Sequence, residues 1–461
     1  MQLLDEGYIY ALPKKGYYVS HIAGISVPQR IRTEFPGESP SLRNLTEFPG
    51  ESAPLRNHSE CSGESPSLRN LTESPGESAP EKKEENPKFD FSSSKPESKS
   101  FPFSVWARLI RTTLLDRSDE LLRVSEYNGI PELRKAISSH LSSFRGMDVD
   151  PSQIIIGAGT EYLYGLIIKL LGKDKKYCIE NPGFRKISQI YESEGISYTF
   201  ANMDDLGMSV SDLKESGAEI AHLSPTHHFP TGITMPIARR YELLSWASDS
   251  PGRYIIEDDY DSEFRQKGSP IPPLHSIDTL DKVIYINTFS KSLASTVRIA
   301  YMVLPVHLAR KYKRDLSFYS CTVSTFDQYT LASFISDGYF EKHINRMRLK
   351  YGKKREQVLG IIHDSLMDNN GGAKGKYRIV ENDSGLHFIL EIKTGLCDNE
   401  IKAGLLKKGI KILAVSDFYM GQTGNAGFLP PQGRFIIDYS NMDVALLPHA
   451  LKELKEFISG I

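Results

Sequence analysis

A single lysine follows a short apolar run in the stretch DKVIYINTFSKSLASTVRIAYMVLP, which begins at Asp281. The run at residues 283–286 is typical of a buried strand, and Lys291 comes five residues after its end (291 − 286 = 5), among hydroxyl residues. A lysine at such a place is a candidate nucleophile or Schiff-base residue. Taken alone, however, a lysine in this position is most often a solvated loop residue.

A second strand-like stretch, RYIIEDDYDSEFR, ends in carboxylates and a tyrosine. In α/β proteins, the carboxyl ends of parallel strands face the crevice in which ligands bind. Asp258 and Tyr260 lie at this end, and Asp258 precedes Lys291 by 33 residues (291 − 258 = 33). A solvated acidic loop is the alternative interpretation of these residues.

The stretch IIIGAGTEYLYGLI combines an apolar strand, a glycine turn and the beginning of a helix. Such a turn offers backbone N–H groups and a helix dipole to a phosphate. The stretch ENPGF adds an aromatic side chain, Phe184, and SPTHHFPTG is a turn between a strand and a helix. Together these stretches predict a site for pyridoxal phosphate, which requires a lysine, a carboxylate beside its pyridine nitrogen, a hydroxyl, an aromatic face and a phosphate cup.

The elements that must position these residues begin near residue 88. From there to the end of the chain, strand-like runs such as QIIIG alternate with helical patterns such as GIPELRKAISSHLSSF. This alternation predicts an α/β fold in which helices cover a parallel sheet. The segment is long enough for a large α/β domain and a smaller second domain.

The composition narrows the class of protein. The chain has 461 residues, of which 39% are hydrophobic and 25% charged, and its net charge is −2. These values indicate a soluble globular protein without a chain-wide charge for nucleic acid or membranes. The four cysteines form no CxxC pair, so neither a metal site nor a disulfide framework is predicted. The sequence has no signal peptide and no membrane span, which makes the cytoplasm the expected location.

A repeat of 13 residues (50 − 37 = 13) begins at Thr33 with TEFPGESPSLRNL. Because the repeated unit is rich in Pro, Gly, Ser and Glu, it cannot bury enough apolar surface to fold. We therefore expect a disordered linker over residues 21–87. The preceding stretch QLLDEGYIYALPKKGYYVS predicts a hairpin with Lys14 and Lys15 at its tip.

The ordered set of motifs resembles the fold-type I aminotransferases, and specifically the MocR-type regulators of the GntR superfamily. The resemblance covers nearly all of residues 88–461 and is carried by IIEDDYDSEFR, TFSKSLASTVRIAYMVLP, DGYFEKHINRMRLKYGKKREQVL and YNGIPELRKAI. It implies a large domain with a mixed, mostly parallel sheet, a small α+β domain and pyridoxal 5′-phosphate as the cofactor. Residues 1–20 resemble the end of a GntR-type winged helix.

The resemblance implies a role for each candidate cofactor residue by its motif position. Lys291 corresponds to the Schiff-base lysine, Asp258 to the partner of the pyridine nitrogen and Tyr260 to the ligand of the phenolic oxygen. Phe184 corresponds to the aromatic residue that stacks on the ring. The residues implied to bind the phosphate are Gly159, Thr160, Glu161, Thr288, Ser290 and Arg298.

Three further positions bear on partners and substrates. Tyr127 resembles a tyrosine that reaches the phosphate of a neighbouring subunit, which implies a homodimer with shared sites. Arg434, in GRFIIDYS, resembles the arginine that binds a substrate carboxylate. One position departs from the aminotransferase pattern, because Phe229 stands where an asparagine usually precedes PTG. His227 or His228 could substitute for that asparagine.

The resemblance implies a transcriptional regulator in which an amino compound displaces Lys291 from the cofactor and a domain shift is passed to DNA. One alternative is an aminotransferase that exchanges an amino group between an amino acid and a 2-oxo acid, and another is a degenerate truncation. The first helices of the winged helix and the base-contacting half of its recognition helix are absent from the sequence. We therefore expect this chain not to select a specific operator, since base contacts supply direct sequence readout.

Overall fold

The computed structural model describes residues 9–12, 16–19, 87–92, 100–265, 271–367, 375–381, 385–420 and 430–459. The chain forms two compact units, residues 3–85 and residues 86–461. In the first unit, strands β1 (Ile9–Leu12) and β2 (Gly16–Val19) form an antiparallel hairpin. The predicted hairpin is thereby confirmed, whereas its tip lysines and the predicted linker up to residue 86 lie outside the described residues.

The second unit is built around an eight-stranded sheet with the spatial order β4-β11-β10-β9-β8-β5-β6-β7. The five strands β10, β9, β8, β5 and β6 run parallel to one another, whereas β11 runs antiparallel to β4 and β10, and β7 to β6. The strands are β4 (Ile154–Gly157), β5 (Tyr177–Asn181), β6 (Tyr198–Asp204), β7 (Gly207–Met208), β8 (Ile220–Leu223), β9 (Tyr254–Asp258), β10 (Val283–Thr288) and β11 (Ala300–Val303).

Apolar side chains are buried on both faces of this sheet. Along β10, Ile284 and Ile286 belong to one core cluster, and Tyr285 belongs to another. Burial on both faces explains why these strands have nearly continuous apolar runs. The helices of this part are α1 (Phe103–Asp116), α2 (Ser118–Leu121), α3 (Pro131–Arg145), α4 (Thr160–Leu171), α5 (Arg185–Ser193), α6 (Val210–Glu215), α7 (Ile237–Ser248), α8 (Leu274–Ile277), α9 (Phe289–Ser292), α10 (Val306–Leu316), α11 (Thr325–Ser336) and α12 (Tyr339–Ile362).

A smaller antiparallel sheet follows in the order β12-β13-β16-β15. Its strands are β12 (Tyr377–Val380), β13 (His387–Ile392), β15 (Leu413–Ala414) and β16 (Arg434–Asp438), with helices α13 (Asp398–Lys407) and α14 (Leu447–Ser459). Short strands β3 (Phe89–Asp90) and β14 (Ile410–Lys411) pair in parallel. The two sheets confirm the predicted fold class, a mostly parallel α/β domain with a small α+β domain.

The sheet topology brings the candidate residues to one edge. Asp258 is the last residue of β9 and pairs with Ile286 of the parallel strand β10. The chain leaves β10 directly into the one-turn helix α9, which carries Lys291. The carboxyl ends of β9 and β10 therefore place Asp258 and Lys291 beside the same crevice, as expected for a parallel sheet.

Within the described residues, no helix is long and apolar enough to cross a membrane.

Candidate cofactor and ligand site

A cavity of about 490 Å³ lies at the carboxyl edge of the large sheet, and residues of the small sheet complete its wall. Nine of the predicted site residues line it: Thr160, Glu161, Phe184, Asp258, Tyr260, Thr288, Ser290, Lys291 and Arg298. Gly159, Tyr127 and Arg434 are not part of this lining. The structure thus brings together residues that are up to 138 positions apart in the sequence (298 − 160 = 138).

Two side chains from other elements lie next to Asp258 in the cavity, and one of them is hydrogen-bonded to it. Its Oδ2 accepts a hydrogen bond from the hydroxyl of Tyr164, which lies in α4. Nε2 of His222, in β8, lies 3.9 Å from the same oxygen, and Nδ1 of His222 is hydrogen-bonded to the Tyr191 hydroxyl at 2.7 Å. Oδ1 of Asp258 is buried and has no hydrogen-bond partner among the described residues. This free oxygen is suited to a ligand N–H group, because a buried acceptor without a partner costs free energy.

The neighbouring carboxylate, Asp259, has a different environment. Its Oδ2 accepts hydrogen bonds from the guanidinium of Arg145 and the hydroxyl of Tyr285, both at 2.7 Å. Both partners of the Arg145–Asp259 ion pair are buried, and neither lines the cavity. Asp259 therefore stabilises the interior below the sheet edge, and Asp258 is the carboxylate that faces the cavity.

The glycine turn lies between β4 and α4 and is closed by an arginine. Gly159 has φ +99°, and a Cβ atom at this position would lie 2.5 Å from Nη2 of Arg298. Only glycine fits such a close approach with this backbone conformation. Thr160 and Glu161 are the first residues of α4, so their N–H groups have no partner within the helix.

Glu161, in the same turn, lies next to two positively charged side chains. Its Oε1 lies 3.5 Å from Nη2 of Arg298 and also pairs with the ammonium of Lys186. Hydrogen bonding from Lys186 lowers the pKa of Glu161, and Arg298 adds to this effect. About half of the Arg298 side chain is exposed (51%). The turn thus combines free N–H groups with two cations, an arrangement that suits a phosphate.

Lys291 lies between the large sheet and the end of the small sheet. Its positive charge lowers the pKa of Asp438, the last residue of β16, although burial has the larger effect and raises that pKa to about 6. The same charge adds to the effect of burial, which holds the pKa of His387 well below its usual range. His387 and Asp438 are paired residues of β13 and β16. Lys291 and Asp438 therefore belong to the lining of one cavity, to which the large and the small sheet both contribute.

The turn that contains Phe229 places two histidines against the cavity wall. Nδ1 of His227 lies 2.8 Å from Oδ2 of Asp261 and 3.2 Å from the hydroxyl of Tyr260. His228, which lines the cavity, has its Nε2 3.5 Å from Oε2 of Glu180. Phe229 packs edge-on against Phe418 and His387. The position of the usual asparagine thus serves apolar packing, and His227 is the histidine that contacts Tyr260.

Burial determines the protonation of the Glu180–His228 pair. It raises the pKa of Glu180 to about 8 and lowers the pKa of His228 to about 3. Glu180 Oε2 accepts a hydrogen bond from the N–H of Ser224 at 2.9 Å, and its Oε1 has no partner in the part of the chain that the structure describes. At neutral pH both side chains are therefore mostly uncharged.

Tyr127 and Arg434 lie away from the cavity. The ring of Tyr127 stacks on Tyr312 with centroids 5.9 Å apart. Nε of Arg434 lies 3.4 Å from Oε1 of Glu391, its cross-strand neighbour in β13. Alternation along β16 places Arg434, Ile436 and Asp438 on one face, and it is Ile436 and Asp438 that line the cavity. Arg434 therefore lies two residues before the part of β16 that lines the cavity. It was predicted to bind a substrate carboxylate there, but it is not part of the lining.

The family description "Aminotransferase class I and II" matches residues 86–454. The "Uncharacterized HTH-type transcriptional regulator YdeL" of Bacillus subtilis is 35% identical over 81% of this chain and 77% of its own length. The "Probable rhizopine catabolism regulatory protein MocR" of Rhizobium meliloti is 29% identical over 79% of this chain and 71% of its own. This chain belongs to the class I and II aminotransferase family and is of the MocR type.

Solved structures agree with this family at the level of the fold. Pyrococcus horikoshii kynurenine aminotransferase has a TM-score of 0.68 at 24% identity, covering 82% of this chain and 91% of its own. The cofactor of this family is pyridoxal phosphate. The residues of this MocR-type chain fit it: among the described residues Oδ1 of Asp258 has no donor and can accept from the pyridine N–H, and the missing Cβ of Gly159 lets the guanidinium of Arg298 approach the turn, where it can bind a phosphate. Lys291 lies on the same cavity.

Several lining residues of the MocR-type cavity were not predicted from the sequence. Tyr164 follows Thr160 by one helical turn, a spacing that places both on one face of α4 and could have revealed it. Asp438 lies two strand repeats after Arg434, so period-2 alternation could have revealed it as well. His222 and Glu180 had no such signal: His222 is the single polar residue of the apolar strand β8, and Glu180 precedes Asn181 at the end of β5.

Proposed function

We propose that this protein is a sensor in which a primary amino compound binds at the pyridoxal phosphate site and alters transcription. The observation that carries the proposal is the free Oδ1 of Asp258 in a cavity that also contains Lys291 and the Gly159–Arg298 turn. When bound, pyridoxal phosphate supplies a carbonyl carbon that bonds covalently to a primary amine. The residues of the chain bind, orient and enclose the reacting groups.

Each lining residue has a defined part in this proposal. Asp258 holds the pyridine nitrogen protonated, with Tyr164 fixing the carboxylate through Oδ2. Tyr260 presents its hydroxyl while His227 holds that hydroxyl at 3.2 Å. Phe184, with 49% of its surface exposed, lines the cavity and offers its ring as the face on which the cofactor stacks. A change from Lys291 to an external amine alters the charge that acts on Asp438, a residue of the small sheet.

The proposal of a role in transcription is supported by relatives that are named as HTH-type transcriptional regulators. We propose DNA as the partner on this basis. The hairpin of β1 and β2 agrees with the wing of a winged helix, a shape that contacts phosphates. A mobility-shift assay on the promoter of its own gene, with scrambled DNA at physiological salt as the reference, measures whether this chain selects an operator.

We also propose a homodimer. Leu122 and Val124 are 85% and 84% exposed, and Leu115 is 71% exposed. They lie on or directly after helices α1 and α2, close in sequence to Tyr127, the residue that resembles an intersubunit contact. Apolar residues exposed together in this way mark interaction surfaces, and a second copy would cover them.

An aminotransferase is the second candidate. It is favoured by the presence of Lys291, Asp258 and Tyr260 around one cavity, since this set of groups also serves amino transfer. The two functions differ in turnover. A sensor shows a ligand-dependent change of the cofactor spectrum without release of a 2-oxo acid, whereas an enzyme releases 2-oxo acid repeatedly.

The experiment combines both measurements on the full chain loaded with pyridoxal phosphate. Amino acids and amines are added while the visible spectrum is recorded, and 2-oxo acids are quantified by chromatography. Spectral change with less than one 2-oxo acid per site supports the sensor. Many turnovers per site would support the enzyme, and a spectrum unaffected by every amino compound would contradict both.

A further inference from the structure

The ring of His227 is held between the turn that follows β8 and the start of the small sheet. His227 is 2% exposed, and the centroid of its ring lies 4.7 Å from that of His387, the first residue of β13. Gly385 has φ +73°, and a Cβ atom at this position would lie 1.8 Å from Cε1 of His227. Only glycine permits this approach with this backbone conformation. The backbone that leads into β13 therefore fixes the position of the ring.

One nitrogen of this ring contacts two oxygens. Nδ1 lies 2.8 Å from Oδ2 of Asp261 and 3.2 Å from the hydroxyl oxygen of Tyr260. Because a carboxylate only accepts hydrogen bonds, the hydrogen of this pair is on Nδ1 and is directed mainly to the nearer oxygen, that of Asp261. Tyr260 cannot donate to a nitrogen that carries a hydrogen. The proton of Tyr260 is therefore not engaged by His227.

Tyr260 keeps its proton and lines the cavity. Burial and the negative charges of Asp261 and Asp258 hold the pKa of its hydroxyl well above the usual range. In the described part of the chain, His227 is the hydrogen-bond partner of this hydroxyl. Since His227 does not take the proton, the proton is available to an oxygen atom of a ligand.

Asp261 is the competing acceptor for this proton. It follows Tyr260 in the chain, lines the same cavity and is 5% exposed, and a buried carboxylate is a strong acceptor for a hydroxyl. The N–H of His227 satisfies Oδ2 of Asp261 and so leaves the proton of Tyr260 for the ligand. Phe229, at the position of the usual asparagine, has no N–H in its side chain. The turn therefore acts on the ligand through Tyr260.

We propose that His227 is a positioning residue of the cofactor site and that, together with Asp261, it directs the proton of Tyr260 to the phenolic oxygen of bound pyridoxal phosphate. This inference rests on the proposed function, because it concerns the same cofactor site. A donor to the ionised phenolic oxygen stabilises the ionised form, so the bound cofactor loses its proton at a lower pH. Tyr260 keeps its own proton, and His227 forms and breaks no covalent bond.

Several other titratable groups surround Tyr260 and His227. They are Asp258, Asp259, Glu180, His228, Lys291 and His387. Burial lowers the pKa of His228 to about 3 and holds that of His387 well below its usual range, so both rings are uncharged. Burial raises the pKa of Glu180 to about 8, which lies within the pH range of the test. Glu180→Gln removes this contribution, and the remaining groups are the same in every variant.

The test follows the visible absorbance of the full chain loaded with pyridoxal phosphate from about pH 5 to about pH 10, with Glu180 retained and again with Glu180→Gln. His227→Leu removes the N–H, so the midpoint of the absorbance change should rise by about one pH unit, as expected for loss of a hydrogen bond to a charged group. His227→Asn keeps an N–H near the position of Nδ1 and should move the midpoint by less than about 0.3 units. His363→Leu, which removes an exposed histidine outside the cavity lining, is the control and should leave the midpoint unchanged.

A double variant separates positioning from packing. Tyr260→Phe removes the proton that His227 directs, so His227→Leu should shift the midpoint no further in the Tyr260→Phe background. A loss of packing alone would shift the midpoint with and without Tyr260. Fluorescence titration of the cofactor-free protein gives a second readout: cofactor binding should weaken about tenfold in His227→Leu and less than about twofold in His227→Asn.

The outcomes separate this inference from the proposed function. An unchanged midpoint and cofactor affinity in His227→Leu would overturn the role of His227 while leaving the amino-compound sensor in place. A shift in His228→Leu without one in His227→Leu would also overturn it and would assign the role to the neighbouring histidine. A spectrum unaffected by every amino compound, together with the expected shift in His227→Leu, would contradict the proposed function alone. If the unsubstituted protein took up no pyridoxal phosphate, both would fail.

Discussion

Tyr164 donates a hydrogen bond to Oδ2 of Asp258, whereas Oδ1 of the same carboxylate has no partner among the described residues. The tyrosine fixes the plane of the carboxylate and leaves its second oxygen directed to the ligand. Burial and the negative charge of Asp258 hold the pKa of Tyr164 well above its usual range. The hydroxyl therefore remains a donor at any physiological pH.

The Tyr164→Phe variant should bind pyridoxal phosphate about tenfold more weakly, because a hydrogen bond to a charged group contributes roughly 1.5–3 kcal/mol. Fluorescence titration of the cofactor-free protein measures the change. Tyr162→Phe, in the same helix but outside the cavity lining, is the control and should bind normally. Equal affinity of the two variants would show that the Tyr164 hydroxyl does not support the site.

Substitution of Asp258 and Asp259 should have different effects. Asp258→Ala should fold and bind cofactor poorly, because the partner of the pyridine nitrogen is gone. Asp259→Ala should lose about 3–5 kcal/mol of folding stability, since it leaves the buried Arg145 without its partner. Thermal melting and cofactor titration of both variants distinguish these results. A cofactor defect in a stable Asp259→Ala protein would instead assign the nitrogen contact to Asp259.

Lys291→Ala should abolish the covalent attachment of the cofactor. In the unsubstituted protein, borohydride treatment followed by peptide mapping should place the pyridoxyl group on Lys291. The variant should carry no label and should lack the visible absorbance of the attached cofactor, while Asp258 and the glycine turn still bind it reversibly. Lys186→Ala, which removes another lysine of the cavity lining, is the control and should keep the label on Lys291.

The Glu180→Gln variant tests the raised pKa of this buried acid. Burial raises the pKa of Glu180 from about 4.5 to about 8, so the folded state favours the protonated form. Its contribution to stability is full below pH 4.5 and is lost as the pH rises to 8. Glutamine retains the acceptor for Ser224, so the variant should equal the unsubstituted protein at about pH 4 and exceed its stability at about pH 8.5. The gain should be at least about 1 kcal/mol, since one pKa unit corresponds to roughly 1.4 kcal/mol.

Replacement of exposed leucine and valine should change the oligomeric state. In the double variant Leu122→Glu, Val124→Glu, charge repulsion and lost apolar contact should shift a dimer towards the monomer, as measured by light scattering. Melting of the monomer should change little because both side chains are exposed. Leu446→Glu, at another exposed apolar residue, is the control and should leave the mass unchanged. A double variant with the original mass would contradict this interface.

The sequence by itself determined the fold class and much of the site. Apolar strands such as residues 283–286, alternating with amphipathic helices, require a sheet covered on both faces, because no other arrangement buries them. Polar residues at or shortly after the ends of such strands, including Asp258 and Lys291, must then lie at one sheet edge. Local patterns sufficed here because strand direction is set by the order of the elements.

Tertiary structure decided what local patterns could not. The choice between Asp258 and Asp259 depended on which side of the sheet edge each carboxylate faces, and Arg145, 114 residues away, binds the second. Arg434 had the sequence context of a substrate contact, but the register of β16 against β13 pairs it with Glu391. The same register pairs Asp438 with His387, and both line the cavity that contains Lys291. These assignments depend on contacts between distant segments, and their energies are set by burial and charge that no local pattern contains.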